Sequence, residues 1–195
     1  MILDRLGIPL EIQAFFSSDN LVFDFGDSFE HFNYGLHLVP TTQYLWHSDS
    51  DVVTDVLLTH SVMEAMAYLT LNRQHHRALD NIACIAIGNY PHSLQAKWLR
   101  SKFRKQKIVF AFGNDLLGKA MDIRMMTGLR GITAPMRFEN SHVVIECKGF
   151  THNFAEEELS LHRFEKAFGF RSGFRTRKPA RHLTFLQQLL DHDTS

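Results

Sequence analysis

The chain is poor in cysteine: it has two in 195 residues, Cys84 and Cys147, far apart and with no CxxC spacing. That disfavours a disulfide framework, a redox pair and a closed cysteine zinc site, and a reduced interior is expected. Net charge is also lacking, since 21 basic side chains balance 21 acidic ones, with 12 histidines outside that count. A domain that relies on neutralising phosphates is usually basic overall, so any nucleic-acid contact has to come from a local patch. Nowhere does the chain hold an apolar run of the about 18 residues that mark a membrane-spanning helix. The first residues, Met1-Ile2-Leu3-Asp4-Arg5, lack the basic stretch and long apolar run of a leader. Secretion and membrane spanning are disfavoured, and the expected compartment is cytoplasmic. Repeats and low-complexity tracts are missing too. What remains is an ordinary globular composition, 45% hydrophobic, in a chain long enough to bury about 70% of its unfolded surface without staples.

Residues 1 to about 50 set Phe15, Phe16, Phe23, Phe25, Phe29 and Phe32 among Asp, Asn, Ser and Gly. Gly7-Ile8-Pro9-Leu10-Glu11 reads as a turn into a short helix, because proline suits a first turn. Segments 22–25 and 36–39 read as short strands. A small N-terminal α+β lobe is expected with these rings as its core, a base-stacking platform being the alternative. From 52 onward, apolar runs at 52–59, 82–87 and 108–112 alternate with amphipathic stretches at 62–72, 93–104 and 116–126. Strands of near-continuous apolar character, each followed by a helix, imply a parallel sheet covered on both faces. The expected core is a Rossmann-like βαβαβα domain over 51–138, with a fourth short strand near 131–136, where Pro135 blurs the end. A C-terminal extension, 139–195, reads as a strand at 143–147, a helix and a terminal amphipathic segment at 183–190. That helix is expected to open on Glu156-Glu157-Glu158, acids favoured in a first turn, and to carry Leu161, Phe164 and Phe168 on one face.

Ligands bind such sheets at the carboxyl ends of the strands. That gives weight to His60 at the first strand tip, to Glu64 one helical turn further on, to Gly88-Asn89, and to Gly113-Asn114-Asp115 after the third strand. The run 57–69 is similar to the first motif of Toprim domains, the metal-dependent catalytic modules of bacterial primases, topoisomerases and related nucleases. That motif reads roughly E-G-x-x-D-A-L after an apolar strand. The run 108–120, Ile-Val-Phe-Ala-Phe-Gly-Asn-Asp-Leu-Leu-Gly-Lys-Ala, resembles the third-strand motif of the same family, an apolar strand followed by D-x-D-x-x-G-x-x-A. Ala86-Ile87-Gly88-Asn89 fits its second strand and glycine turn. The resemblance spans about residues 50 to 135. Arg5-Leu6-Gly7-Ile8-Pro9-Leu10-Glu11 also resembles the start of the lobe that precedes this domain in primase-like proteins of bacterial mobile elements.

The resemblance implies a Toprim-like sheet of about four parallel strands sandwiched by helices. It also implies a glutamate acting as general acid/base and an aspartate pair holding Mg²⁺. Here the first-motif glutamate falls on His60, its glycine on Ser61 and its aspartate on Glu64. The aspartate pair falls on Gly113 and Asp115. Magnesium wants several oxygen ligands in near-octahedral geometry, so a glycine in place of a carboxylate removes a ligand outright. Imidazole suits Zn²⁺ or Mn²⁺ better than Mg²⁺, and it still transfers protons near neutral pH. The expectation is a degenerate acidic site in a non-catalytic nucleic-acid-associated or regulatory module related to DNA primase. It would hold no cofactor or a weakly bound Mg²⁺ or Mn²⁺. Its expected partners are DNA, single-stranded or duplex, and a replication or mobile-element protein. Two alternatives stay open. In one, Glu64 and Asp115, helped by His60, hold one metal ion and support phosphoryl transfer or cleavage. In the other, the chain is a protein-interaction module without nucleic-acid contact. Each residue also has a plain reading: His60 bonded to backbone, Glu64 favouring a helix N-terminus, Asp115 as an N-cap.

Two basic constellations supply the local patch. Arg171, Arg175, Arg177, Lys178 and Arg181 fall within eleven positions that hold no acid, with Phe170 and Phe174 interleaved. Such a run suits a phosphate backbone with a ring stacking on a base, or else a solvated linker. The second lies on the outward face of the 93–104 helix and just past its end, where Lys97, Arg100, Lys102, Arg104, Lys105 and Lys107 are found. Gly118-Lys119 resembles a phosphate-binding turn but lacks the GxxxxGK[ST] spacing; Lys119 is carried as a further nucleic-acid candidate. His75-His76 reads as surface loop, because metal ligands on one helix face need a separation of three or four positions.

Overall fold

The computed structural model describes residues 2–17, 20–33, 35–50, 52–76 and 78–192. Met1, Asp51 and 193–195, which open or close expected segments, lie outside them. Two short helices, α1 (Ile2–Arg5) and α2 (Leu10–Phe15), lead into an antiparallel meander of β1 (Val22–Asp24), β2 (Phe29–Asn33) and β3 (Leu36–Leu38). The short strand β4 (Trp46–His47) precedes the alternating core. That core runs β5 (Asp55–Thr59), α3 (Val62–Leu71), β6 (Ile82–Ala86), α4 (Ser93–Lys102), β7 (Lys107–Phe110) and α5 (Leu116–Arg130). A second meander comes next, β8 (Met136–Glu139), β9 (His142–Cys147) and β10 (Phe150–Ala155), and then α6 (Leu161–Ala167), β11 (Arg175–Thr176) and α7 (Phe185–His192).

The central sheet is mixed, in the order β11-β7-β5-β6-β4. Strands β5, β6, β7 and β11 run parallel and β4 closes one edge antiparallel. Alternate residues of a strand face opposite sides, and both sides are covered. Val56, Leu58, Ala83, Ile85 and Phe110 pack under α4 and α5. Leu57, Cys84 and Ala86 pack with α3, α7 and the N-terminal helices. Full burial pushes the Cys84 thiol far up, which makes it an inert core residue. Phe16, Phe23 and Phe25 are buried in the same cluster, so most of the N-terminal rings serve as core, while Phe29 stays half-exposed. No helix among the described residues is long and apolar enough to cross a membrane.

The fourth parallel strand is not where it was expected. Residues 132–135 form no strand, and β8 begins at Met136 inside the separate antiparallel sheet. The parallel edge is supplied instead by β11, in which Arg175 and Thr176 lie beside Val109 and Phe110. Proline has no N–H to give a ladder; the Pro135 carbonyl accepts from the Glu146 N–H (3.1 Å) where the β8–β9 hairpin begins. Glu156-Glu157-Glu158 form a turn instead of a helix start. Helix α6 opens only at Leu161, because the Ser160 hydroxyl accepts from the Arg163 N–H (3.1 Å) and so makes the better cap. Helix α5 runs past the expected 126 to Arg130, where Gly131 at φ +67° ends it in the left-handed region.

Candidate functional site

The carboxyl ends of β5 and β7 lie side by side, which brings the two Toprim-resembling segments to one end of the sheet. His60 comes after β5 half-buried, its carbonyl accepting from the Gly88 N–H (2.9 Å). Glu64 is almost fully buried, and its two carboxylate oxygens accept from the backbone N–H groups of Phe185 (2.8 Å) and Leu186 (3.2 Å). These are the first two donors of α7, and the Thr184 hydroxyl accepts the third, from Gln187 (3.1 Å). The start of α3 repeats the device. Fully buried Glu30 of β2 accepts from Val62 (2.7 Å) and Met63 (3.1 Å), and the Ser61 hydroxyl accepts from Glu64 (3.0 Å). A helix start leaves its first N–H groups orphaned and partly positive, and a buried carboxylate satisfies both needs. Glu30 thus fastens the N-terminal lobe to α3, and Glu64 fastens α7 to the same helix.

Asp115 is the N-cap of α5, accepting from the Gly118 N–H (2.8 Å). Gly113 lies under the C-terminal segment. A Cβ there would sit 2.9 Å from the Leu183 carbonyl, which itself accepts from the Asn114 N–H (2.7 Å). Gly118 is pressed onto the Gly113 backbone, which would stand 2.1 Å from a Cβ. Between these loops lies the Lys178 ammonium. It donates to the carbonyls of Gly113 (2.8 Å) and Phe112 (3.3 Å) and pairs with buried Asp122 at 2.7 Å. Burial pushes the Asp122 carboxyl up to about 7 against the pull of that ammonium, and its Oδ1 has no hydrogen-bond partner among the described residues.

These residues do not fit a divalent cation. Both Glu64 oxygens already accept N–H groups, Asp115 is engaged as a cap, Gly113 offers only a carbonyl, and that carbonyl faces a lysine ammonium. Among the described residues no three acidic, histidine or cysteine side chains converge to hold a metal ion.

The basic residues gather elsewhere, at the opposite end of the sheet. Helix α4 turns Ala96 and Leu99 inward and leaves Lys97 and Arg100 exposed. A groove of about 670 Å³ is lined there by Lys97, Arg100 and Arg104, by Lys107 at the start of β7, by Arg130 ending α5, and by residues 172–174. Phe103 and Phe174 give it apolar walls. The C-termini of α4 and α5 both end here, and cations also offset the negative ends of helices. The Arg130 guanidinium lies over the Phe174 ring (5.2 Å) and donates to the Ser172 carbonyl, and Phe174 stacks on Phe110 (5.2 Å). Glu165 holds this loop by accepting from the Ser172 N–H (2.7 Å). Lys107 pairs loosely with Asp55 (3.5 Å); among the described residues Lys97, Arg100 and Arg104 have no carboxylate partner.

The basic run 171–181 is therefore divided. Arg171 is exposed on the surface, Arg175 and Arg177 belong to the β11 edge, and Lys178 is committed to Asp122. Arg181 lies on the segment leading to α7, its N–H 3.4 Å from the Gln188 side-chain oxygen. The Lys119 ammonium points away from the groove, to the carbonyls of Glu156 (3.1 Å) and Glu157 (3.5 Å). Sequence reasoning missed Arg130, Glu30 and Asp122. The last two had a signal: each is an acid at an inward position, Glu30 between rings in a strand and Asp122 within the apolar face of α5. The chain matches no family model, no curated protein and no solved structure.

Proposed function

We propose that the chain is a non-catalytic, Toprim-like module that holds nucleic acid by its phosphate backbone in the groove between α4, α5 and residues 172–174. The observation that carries this reading is the convergence of Lys97, Arg100, Arg104, Lys107 and Arg130 on a groove whose lining, among the described residues, contains no carboxylate. In a chain of zero net charge, so uneven a distribution builds a positive potential at one place. The occupied oxygens of Glu64 and the use of Asp115 as a helix cap favour the non-catalytic reading over residual phosphoryl transfer. The relation to Toprim is supported by the two motifs meeting at the ends of adjacent parallel strands. Gel shifts with single-stranded DNA, duplex and RNA at low and high salt test the proposal. Each phosphate neutralised releases counterions, so about five contacts give a slope of log Kobs against log salt of about −3.5 for a single strand and about −4.5 for a duplex. Binding that ignores salt, or no binding to any of the three, rejects it.

A further inference from the structure

A second cationic cluster lies around the β7 edge, on the other face of the sheet. Arg175 lies beside Val109, and Arg177 is two residues on, so both project to the side of Leu57 and Val109, the side that α3 covers. Across from them, α3 presents buried Tyr68, its C-cap is half-buried Asn72, and the turn after it presents His75 and His76. Together with Lys107 these groups enclose a cavity of about 190 Å³ floored by Leu57, Ile82 and Val109. Among the described residues Asp55 is the single carboxylate in its lining, and it is shared with the Lys107 ammonium (3.5 Å). The Tyr68 hydroxyl lies 3.4 Å from His76 Nε2 and interacts with Arg177. Burial lowers the His76 pKa, and the positive charges of His75, Lys107 and Arg177 lower it further against the pull of Asp55.

We propose that this cavity is an anion site for a phosphate monoester, a step that rests in part on the reading of the adjoining groove as a phosphate track. Two guanidiniums from one strand edge present planar donor forks suited to phosphate oxygens. Lys107 adds a point charge, and the Tyr68 hydroxyl and the imidazoles supply further donors. The cavity is much smaller than the groove, sized for one anionic group instead of a length of chain. Lys107 lines both, so a strand in the groove has its end within reach of the cavity. Such a site distinguishes a phosphorylated end from a hydroxyl end, or else takes free phosphate.

The test uses the full chain and oligonucleotides of one sequence carrying a 5′-phosphate, a 3′-phosphate or hydroxyls at both ends, with inorganic phosphate as a separate probe. One phosphorylated end is expected to bind about tenfold more tightly than the hydroxyl form, as a pair of charge-assisted bonds implies. Arg175→Gln and Arg177→Gln should abolish that preference while leaving hydroxyl-ended binding near wild type. Arg177→Lys, which keeps the charge and loses the fork, should weaken it. Arg100→Glu should weaken all three oligonucleotides alike and leave the preference intact. If no oligonucleotide binds but inorganic phosphate does, and both glutamine variants abolish it, the groove reading fails and the anion site stands with free phosphate as its source. The proposal is overturned if neither end preference nor phosphate binding is found, or if either survives in both glutamine variants with thermal midpoints unchanged.

Discussion

Replacing Glu64 by glutamine separates a carboxylate that caps a helix from one that holds a metal. The glutamine oxygen still accepts one N–H, but its amide nitrogen turns a donor toward the other and the negative charge is gone. Hydrogen bonds to a charged group are worth about 1.5–3 kcal/mol each, and a carboxylate at a partly buried helix start adds up to about 2 kcal/mol. With one bond retained in weaker form, the expected loss is about 2–4 kcal/mol. At about 2–4 °C per kcal/mol for a domain of this size, the thermal midpoint should fall by about 5–15 °C. Hydrogen exchange at Phe185 and Leu186 should accelerate before the rest of the chain, because α7 loses the partner that fixes its first turn. Midpoints measured with chelator and with millimolar Mn²⁺ should agree for wild type and variant alike, since only a ligand of the folded state shifts them. A variant as stable as wild type that has lost a Mn²⁺-dependent rise would refute the capping account.

Other consequences arise from the same geometry. Gly113→Asp, which restores the motif's charge, should destabilise by about 1–3 kcal/mol in urea titration, because its Cβ meets the Leu183 carbonyl at 2.9 Å; a neutral or stabilising result contradicts the packing. Glu30→Gln should cost about as much as Glu64→Gln, and exchange at Val62 and Met63 should report it. Asp122 titrates at about 7 when folded and from 3.8 when exposed, so its contribution to stability is full below about pH 4 and is lost as pH rises through about 7. Denaturation of wild type and Asp122→Asn should therefore diverge in favour of wild type as pH falls from about 8 to 5, by at most about 1.4 kcal/mol per unit. Parallel profiles would show that the carboxyl is not so perturbed.

The central strands were legible because burial on both faces writes itself as near-continuous apolar runs, which make up most of Asp55–Thr59, Ile82–Ala86 and Lys107–Phe110. β11 was not, since Arg175 and Thr176 carry no apolar pattern and their pairing is set by the neighbouring Val109 and Phe110. Of the β8–β10 meander, β9 was legible as the apolar run 143–147, whereas the mostly exposed β8 and β10 carry no such run, and their turns rest on the left-handed pairs Asn140-Ser141 and Lys148-Gly149. Of the site, the basic face of α4 was readable from helical spacing. Its meeting with Arg130 and Phe174 depends on the packing of α4 against α5. Glu64 looked like a first-turn acid of its own helix, whereas its partners lie 121 and 122 positions away. Lys178 was read with the surface cations because its partner Asp122 lies on a different element, far away in the chain.

The groove is the claim on which the functional account stands, and the salt dependence of its binding tests it most directly. Fluorescence anisotropy with a single-stranded oligonucleotide across a salt series should give wild type a slope of about −3.5, and Arg100→Gln/Arg104→Gln a slope shallower by about 1.4. Identical slopes for the two proteins, or a wild-type slope near zero, would contradict it.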